Sequence, residues 1–187
     1  MKDPAKVRES GALVREEGTR LTGMVDQVLR FSEFEADRIP LEKRAFLVSD
    51  VMDSLEREMR PVAERQGCEW EATYTNGTLS GDAGALHVAL RNLVENALRH
   101  GGGKWVGIRA EKGVFTVEDR GTGISPADMP HLFDAFYRGV DSRAQQRKGS
   151  GLGLALVDRI ARAHGGTVRA VNKPGGGARF TLTIPSE

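Results

Sequence analysis

From residue 4 to about residue 37 the apolar positions fall at helical spacing. Val7, Val14, Leu21 and Val28 recur every seven residues, and Met24 and Phe31 fill the offset of three in the second half. That spacing predicts one long helix with a bundle or coiled-coil seam. Ser10 and Glu17 interrupt the seam, and Gly11, Gly18 and Gly23 each cost roughly 1 kcal/mol relative to alanine. Such a helix needs partner helices, or a face of its own domain to pack on. Asp37-Arg38-Ile39-Pro40 breaks it, and Ile39-Pro40-Leu41 is expected to open a short extended segment.

Further along, the apolar period switches between about 3.6 and 2. Val51, Leu55, Met59 and Val62 predict a helix over residues 48–66, with Pro61 a possible kink. Trp70, Ala72 and Tyr74 alternate along a strand that ends before the Asn76-Gly77 turn. Asp82 is placed to cap a helix over 83–100, with Leu86, Leu90, Leu93, Val94 and Leu98 facing inward. Strands over 104–110 and 113–119 follow, joined by Glu111-Lys112-Gly113. A long irregular stretch then runs from 120 to 150, a helix from 151 to 164, and a closing hairpin from 167–171 to 178–184. The order predicts an α+β fold, a two-layer sandwich with a mixed sheet covered on one face by helices. A thirty-residue loop fits a compact domain only as a functional lid. From Val140 to Ser150 it lacks bulky apolar anchors, so the expectation is a lid ordered by its ligand.

Composition narrows the partners. The chain has 187 residues, with 27 Lys+Arg against 26 Asp+Glu, which leaves no basic footprint for nucleic acid. No apolar run approaches the ~20 residues a membrane span needs, and the first twenty residues are charged throughout, unlike a signal peptide. The single cysteine, Cys68, excludes an intrachain disulfide and reads as a small packed residue beside Trp70. These features predict a soluble, cytoplasmic polypeptide without membrane contact.

Four clusters carry candidate chemistry. In Asn92-Leu93-Val94-Glu95-Asn96-Ala97-Leu98-Arg99-His100, residues Asn92, Asn96 and Arg99 share one helical stripe. Amide oxygens suit a hydrated magnesium ion and a cation suits phosphate; taken alone, the stripe fits a solvated polar face equally well. Asp119-Arg120-Gly121-Thr122-Gly123 sets a carboxylate at a strand end beside bare backbone. It could accept a hydrogen bond from an exocyclic amine, although a tight turn explains the pattern as well. Gly149-Ser150-Gly151-Leu152-Gly153 opens a helix and would offer unpaired N–H groups to an anion. It lacks the Lys-Ser/Thr ending of a P-loop. Phe133-Asp134-Ala135-Phe136-Tyr137-Arg138 lies on the expected lid, where Phe133 and Phe136 read as packing residues.

In this order the clusters resemble the N, G1, F and G2 boxes of sensor histidine kinases, within the group that also holds DNA gyrase, MutL and the ninety-kilodalton heat-shock chaperone. Gly175-Gly176-Gly177-Ala178-Arg179-Phe180 is similar to the family's last glycine box. The resemblance spans roughly residues 41 to 185 and implies a Bergerat-type ATP-binding fold with ATP and Mg2+ as ligands. It implies that Asn96 coordinates magnesium and that Asn92 supports the metal and phosphates. Arg99 would contact phosphate, His100 and Tyr137 would lie near the nucleotide, and Asp119 would read the adenine amine. Gly121 and Gly123 would let the ring pack close, Arg138 would approach the phosphates from the lid, and Gly149, Ser150, Gly151, Leu152 and Gly153 would wrap them. Gyrase-like hydrolases place a glutamate base where this chain has Asn92, so ATP hydrolysis should be slow.

The first segment, residues 1–37, ends in Val28-Leu29-Arg30-Phe31-Ser32-Glu33-Phe34-Glu35 and resembles the second helix of the family's dimerisation and phosphotransfer domain; residues 38–187 would form the catalytic ATP-binding domain. None of His87, His100, His131 and His164 has the surroundings of the family's phospho-acceptor. The resemblance therefore implies no catalytic residue within this chain. It implies an acceptor histidine on a separate phosphotransfer helix, a response-regulator receiver domain downstream and a homodimeric parent protein. Anchoring of that parent at the inner membrane is left open. By itself the chain should form no phosphohistidine and should be monomeric or weakly paired. Two other readings stay open at this point: a serine or dehydrogenase kinase of the same superfamily, and a non-catalytic nucleotide-sensing module.

Overall fold

The computed structural model describes residues 41–139 and 150–185, with Val14, Gly18, Thr22, Gly23, Val25 and Leu29 placed on a helix. The rest of the expected seam helix, Gly149 and the lid stretch 140–148 lie outside the described residues.

Strand β1 (Arg44–Leu47) leads directly into helix α1 (Val48–Arg65). Strands β2 (Glu69–Tyr74) and β3 (Thr78–Gly81) precede helix α2 (Ala83–His100). Strands β4 (Trp105–Glu111) and β5 (Val114–Asp119) form a hairpin, followed by a single 3-10 turn at Met129–His131. Helix α3 (Gly153–Ala163) and strands β6 (Thr167–Asn172) and β7 (Ala178–Thr183) complete the described chain. Five strands make one sheet in the order β2-β4-β5-β7-β6, with β2 parallel to β4 and every other pair antiparallel; β1 and β3 form a separate two-stranded ribbon.

The predicted mixed sheet with helices on one face is what the chain forms. Strand parity explains it. Val106, Ile108 and Ala110 of β4 join Phe115, Val117, Phe180 and Leu182 on the covered face. The helices bury Val51, Met52 and Leu55 from α1, Leu86, Leu90, Leu93 and Val94 from α2, and Leu156, Val157 and Ile160 from α3. Each such side chain contributes roughly 1.5–3 kcal/mol by leaving water, so α2, between α1 and α3, is held by the core rather than by its own propensity.

Several boundaries differ from expectation. Of the extended segment expected from residue 39, residues 39 and 40 lie outside the described residues, 41–43 have no regular structure, and β1 begins at Arg44, where pairing with Gly81 becomes available. Strand β3 escapes the local pattern because its partner lies more than thirty residues upstream. Helix α1 runs through Pro61 to Arg65; Pro61 is exposed, so water can satisfy the carbonyl that its ring leaves without a donor. Val62 is only half-buried, and Ala63 takes its place in the core. Helix α3 starts at Gly153 rather than Gly151, because Gly151 has φ +76°, a left-handed value that no α-helical residue adopts. Cys68 is free and buried, as a packed residue should be; burial pushes its thiol pKa up, with a smaller contribution from Glu69.

Candidate functional site

Helix α2 sets the frame. Asp82 caps it through Oδ1, which accepts from the Ala85 N–H at 2.9 Å. The Asp82 N–H donates to His164 Nε2 at 2.9 Å, while His164 Nδ1 lies 2.8 Å from the Ile160 carbonyl. His164 is thus a buried brace between the start of α2 and the end of α3. While its core face is sealed, α2 turns a half-buried polar stripe the other way. The Asn92 amide nitrogen donates to the Val88 carbonyl at 2.8 Å, and a Cβ on Gly153 would sit 2.8 Å from Asn92 Oδ1. The first and third sequence clusters therefore meet directly. Asn96, one turn on, is also half-buried. Arg99 is placed differently: it is exposed and lines a groove between α1 and α2 with Glu58, Met59, Gln66 and Glu95.

The end of α2 meets the second cluster. The Gly101 N–H bonds to the Ala97 carbonyl at 2.7 Å, and a Cβ on Gly101 would lie 2.6 Å from Asp119 Cβ. Only glycine permits that approach. Asp119, at the end of β5, is 4% exposed. Its Oδ1 accepts from Gly121 N–H at 2.8 Å and from Ala178 N–H at 3.2 Å, so one carboxylate oxygen is held by backbone. Gly121 backs onto the His100 carbonyl and Gly101, and Gly123 onto Asn172.

The last two clusters also touch. The Phe136 N–H donates to the Gly151 carbonyl at 3.0 Å, and a Cβ on Gly151 would lie 2.7 Å from the Phe136 carbonyl carbon. This contact holds Phe136 at φ +64°, an uncommon conformation for an aromatic residue. Its side chain is 65% exposed, so Phe136 is not the packing residue the sequence suggested; Phe133 does pack against the core. The Tyr137 hydroxyl donates to Asp128 Oδ1 at 2.8 Å, and its ring lies 5.3 Å from that of His131. Tyr137 is thereby tied to the loop, beside the half-buried Arg138. The Leu152 side chain is 1% exposed and its N–H donates to Ser150 Oγ at 3.2 Å, so it anchors the glycine turn. Helix α3 has no side-chain cap, which leaves first-turn N–H groups open to an anion.

A network behind Asp119 escaped the sequence reading. Lys173 Nζ donates to the Asp119 carbonyl at 3.0 Å and pairs with Glu118 at 3.1 Å; Arg179 meets the same carboxylate at 2.6 Å. Burial pushes the Glu118 carboxyl up, but the bonds and charges of Lys173 and Arg179 together hold it below the usual carboxylate range. Arg120 and Lys173 also lie over the Trp105 ring, at 4.4 and 4.9 Å from its centroid. Among the described residues no group of three or more His, Cys, Asp or Glu could hold a metal ion. A cation here would rest on amide oxygens, water and ligand oxygens, a donor set suited to magnesium.

Residues 81–187 match the family model described as histidine kinase-, DNA gyrase B- and HSP90-like ATPase. The chain belongs to this family. The Mycobacterium tuberculosis sensor-like histidine kinase SenX3 is 35% identical over 191 residues, covering 98% of this chain and 46% of that protein. The Escherichia coli sensor histidine kinase CusS is 35% identical over 176 residues, covering 91% of this chain and 36% of its own length. Among solved structures, full-length ShkA in complex with AMPPNP superposes with a TM-score of 0.81 at 28% identity, covering all of this chain and 41% of that one. The chain thus spans less than half the length of these ATPase-family relatives.

Proposed function

We propose that this chain is the ATP-binding catalytic portion of a two-component sensor histidine kinase, holding Mg-ATP for transfer of its γ-phosphoryl group to a histidine outside these residues. The observation that carries the reading is Asp119: a buried carboxylate with one oxygen held by two backbone N–H groups, beside close-packed glycines. Its other oxygen can accept from an exocyclic amine, as adenine requires. The complex of the related ShkA with AMPPNP supports the same ligand class.

In this reading Asn96 and Asn92 offer neutral amide oxygens at the magnesium position. Magnesium, when bound, neutralises charge on the β- and γ-phosphates. The uncapped first turn of α3, beginning at Gly153, and the glycine turn before it receive phosphate oxygens on backbone N–H groups. Ser150, His100 and Tyr137 line the approach. Arg138 supplies a cation from the loop, and Arg99 supplies a second one by leaving the α1–α2 groove. The chain's part is to position the triphosphate and screen its charge. The phosphorus–oxygen bond to ADP breaks as the acceptor imidazole bonds to phosphorus. The phosphoryl group then passes to a response-regulator receiver domain, and the parent protein works as a cytoplasmic homodimeric kinase unit. Among the described residues no helix is long and apolar enough to cross a membrane.

Calorimetric titration tests the site. ATP should bind in a magnesium-dependent manner, and Asp119→Asn should weaken it at least about tenfold while the melting temperature holds, since Asn keeps an acceptor for Gly121 and Ala178. Unchanged ATP affinity in that variant overturns the assignment. Label from ATP should appear on a phosphotransfer helix supplied in trans and not on this chain alone.

A further inference from the structure

From Asp119, the last residue of β5, the chain runs through residues 120–124 with no regular structure, yet both ends of this loop are held by two consecutive residues where β6 passes into a distant turn. Asn172 grips Ile124 twice: its Oδ1 accepts from the Ile124 N–H at 2.7 Å, and its amide nitrogen donates to the Ile124 carbonyl at 2.8 Å. Lys173 donates to the Asp119 carbonyl at 3.0 Å. The turn is closed by its own backbone, Lys173 N–H to the Gly177 carbonyl at 2.9 Å and Gly176 N–H to the Lys173 carbonyl at 3.1 Å. Next in the chain, the Ala178 N–H holds Asp119 Oδ1.

We propose that Asn172 and Lys173 are positioning residues for base recognition, a clamp at the β6–β7 turn that fixes the Asp119 carboxylate and the loop after it at the distance an adenine ring requires. The proposal rests on the nucleotide reading above. The double bond from Asn172 defines both the position and the orientation of the Ile124 peptide units, which a single contact would not. Lys173 is itself immobilised: it is 15% exposed, bonded to Glu118 at 3.1 Å and placed over Trp105. An ammonium held that firmly is a fixed point, and its bond to a main-chain carbonyl fixes the residue that bears the reading carboxylate. The bonds of both residues run to the two ends of the loop after β5, so the clamp should affect the base and spare the triphosphate.

The test uses the full chain and two probes, ATP and inorganic tripolyphosphate, each titrated with magnesium. Lys173→Met keeps the aliphatic stem and removes the donor. Asn172→Ala removes both bonds, whereas Asn172→Asp is isosteric and retains the acceptor for the Ile124 N–H. Lys173→Met and Asn172→Ala should weaken ATP about tenfold, Asn172→Asp less, and all three should bind tripolyphosphate as the parent chain does. The preference for ATP over GTP should fall in the same order. Parallel loss of both probes would mean a general scaffold effect and overturn the clamp. If Asp119→Asn loses ATP affinity while the clamp variants bind it normally, the clamp fails and the nucleotide site stands. If the parent chain binds neither probe, the nucleotide reading fails and the clamp falls with it.

Discussion

Gly175 and Gly177 occupy the same turn with nearly equal left-handed backbone angles, φ +86° and +85°. They differ in what surrounds them. A Cβ on Gly175 would meet nothing within 4 Å, whereas one on Gly177 would lie 2.2 Å from the Asp119 carbonyl oxygen, 2.8 Å from its carbonyl carbon and 3.0 Å from Arg120 Cα. Changing each to alanine therefore imposes the same conformational penalty, roughly 1–2 kcal/mol, and separates it from steric exclusion. The contacts at Gly177 are all backbone, so no side chain can swing aside. Either the turn retreats from β5 or Asp119 moves, at a further cost of about 1–3 kcal/mol, as for an overpacked core. Gly175→Ala should lose about 1–2 kcal/mol in urea unfolding and keep its ATP affinity. Gly177→Ala should lose about 2–5 kcal/mol and bind ATP at least tenfold more weakly, because retreat of the turn also removes the Ala178 N–H from the carboxylate. Equal losses of stability in the two variants, or normal ATP binding by Gly177→Ala, would refute the claim that the turn is the back wall of the base site.

Two further predictions concern protons. The Glu118 carboxyl is held below its ordinary value of 4.5 by Lys173 and Arg179, so its stabilising effect is complete above 4.5 and is lost as pH falls through the lower folded-state value. The stability gap between the parent chain and Glu118→Gln should close on acidification over that window; a gap independent of pH from neutrality downward would contradict it. The Tyr74 pKa is pushed up from 10 to about 12, first by its hydrogen bond to Asp53, then by burial and the charges of Asp53 and Glu56. A raised pKa for a group that is neutral when protonated contributes stability below pH 10 that is lost between 10 and about 12. Phenolate absorbance should show a late step that Tyr74→Phe removes, and a spectrum in which that substitution removes only an ordinary step near 10 would defeat the reasoning.

Helix α2 was the most legible element, because its boundaries are written locally: Asp82 as cap, an unbroken 3.6-residue apolar period, and a glycine run after His100. Asp119 was legible as a candidate because a carboxylate at a strand end beside alternating glycines is a chemical pattern in itself. The clamp was not. Asn172 and Lys173 act on residues 48 and 54 positions away, and Lys-Pro-Gly-Gly-Gly announces only a turn. Proximity in sequence also misled. Phe136 lies in an aromatic cluster, yet the backbone bond to Gly151 turns it into solvent.

The two ends of the site are built with different rigidity. At the base end, Asp119 lies against the last turn of α2, whose Leu90, Leu93 and Val94 are fully buried, and against a turn closed by its own hydrogen bonds. Any displacement there must disturb the core or break several bonds together. At the phosphate end, α3 begins without a cap and the adjoining Phe136 is exposed and strained. The Phe136 N–H donates to the Gly151 carbonyl, a backbone hydrogen bond that contributes about 0.5–1.5 kcal/mol net. The strain at a non-glycine left-handed residue is of similar size, about 1–2 kcal/mol, and offsets that bond. Under the nucleotide reading proposed above, base recognition would be preorganised, while the phosphate grip would form and release around a fixed adenine. That division suits an enzyme that must hold the same nucleotide before and after its γ-phosphoryl group has gone.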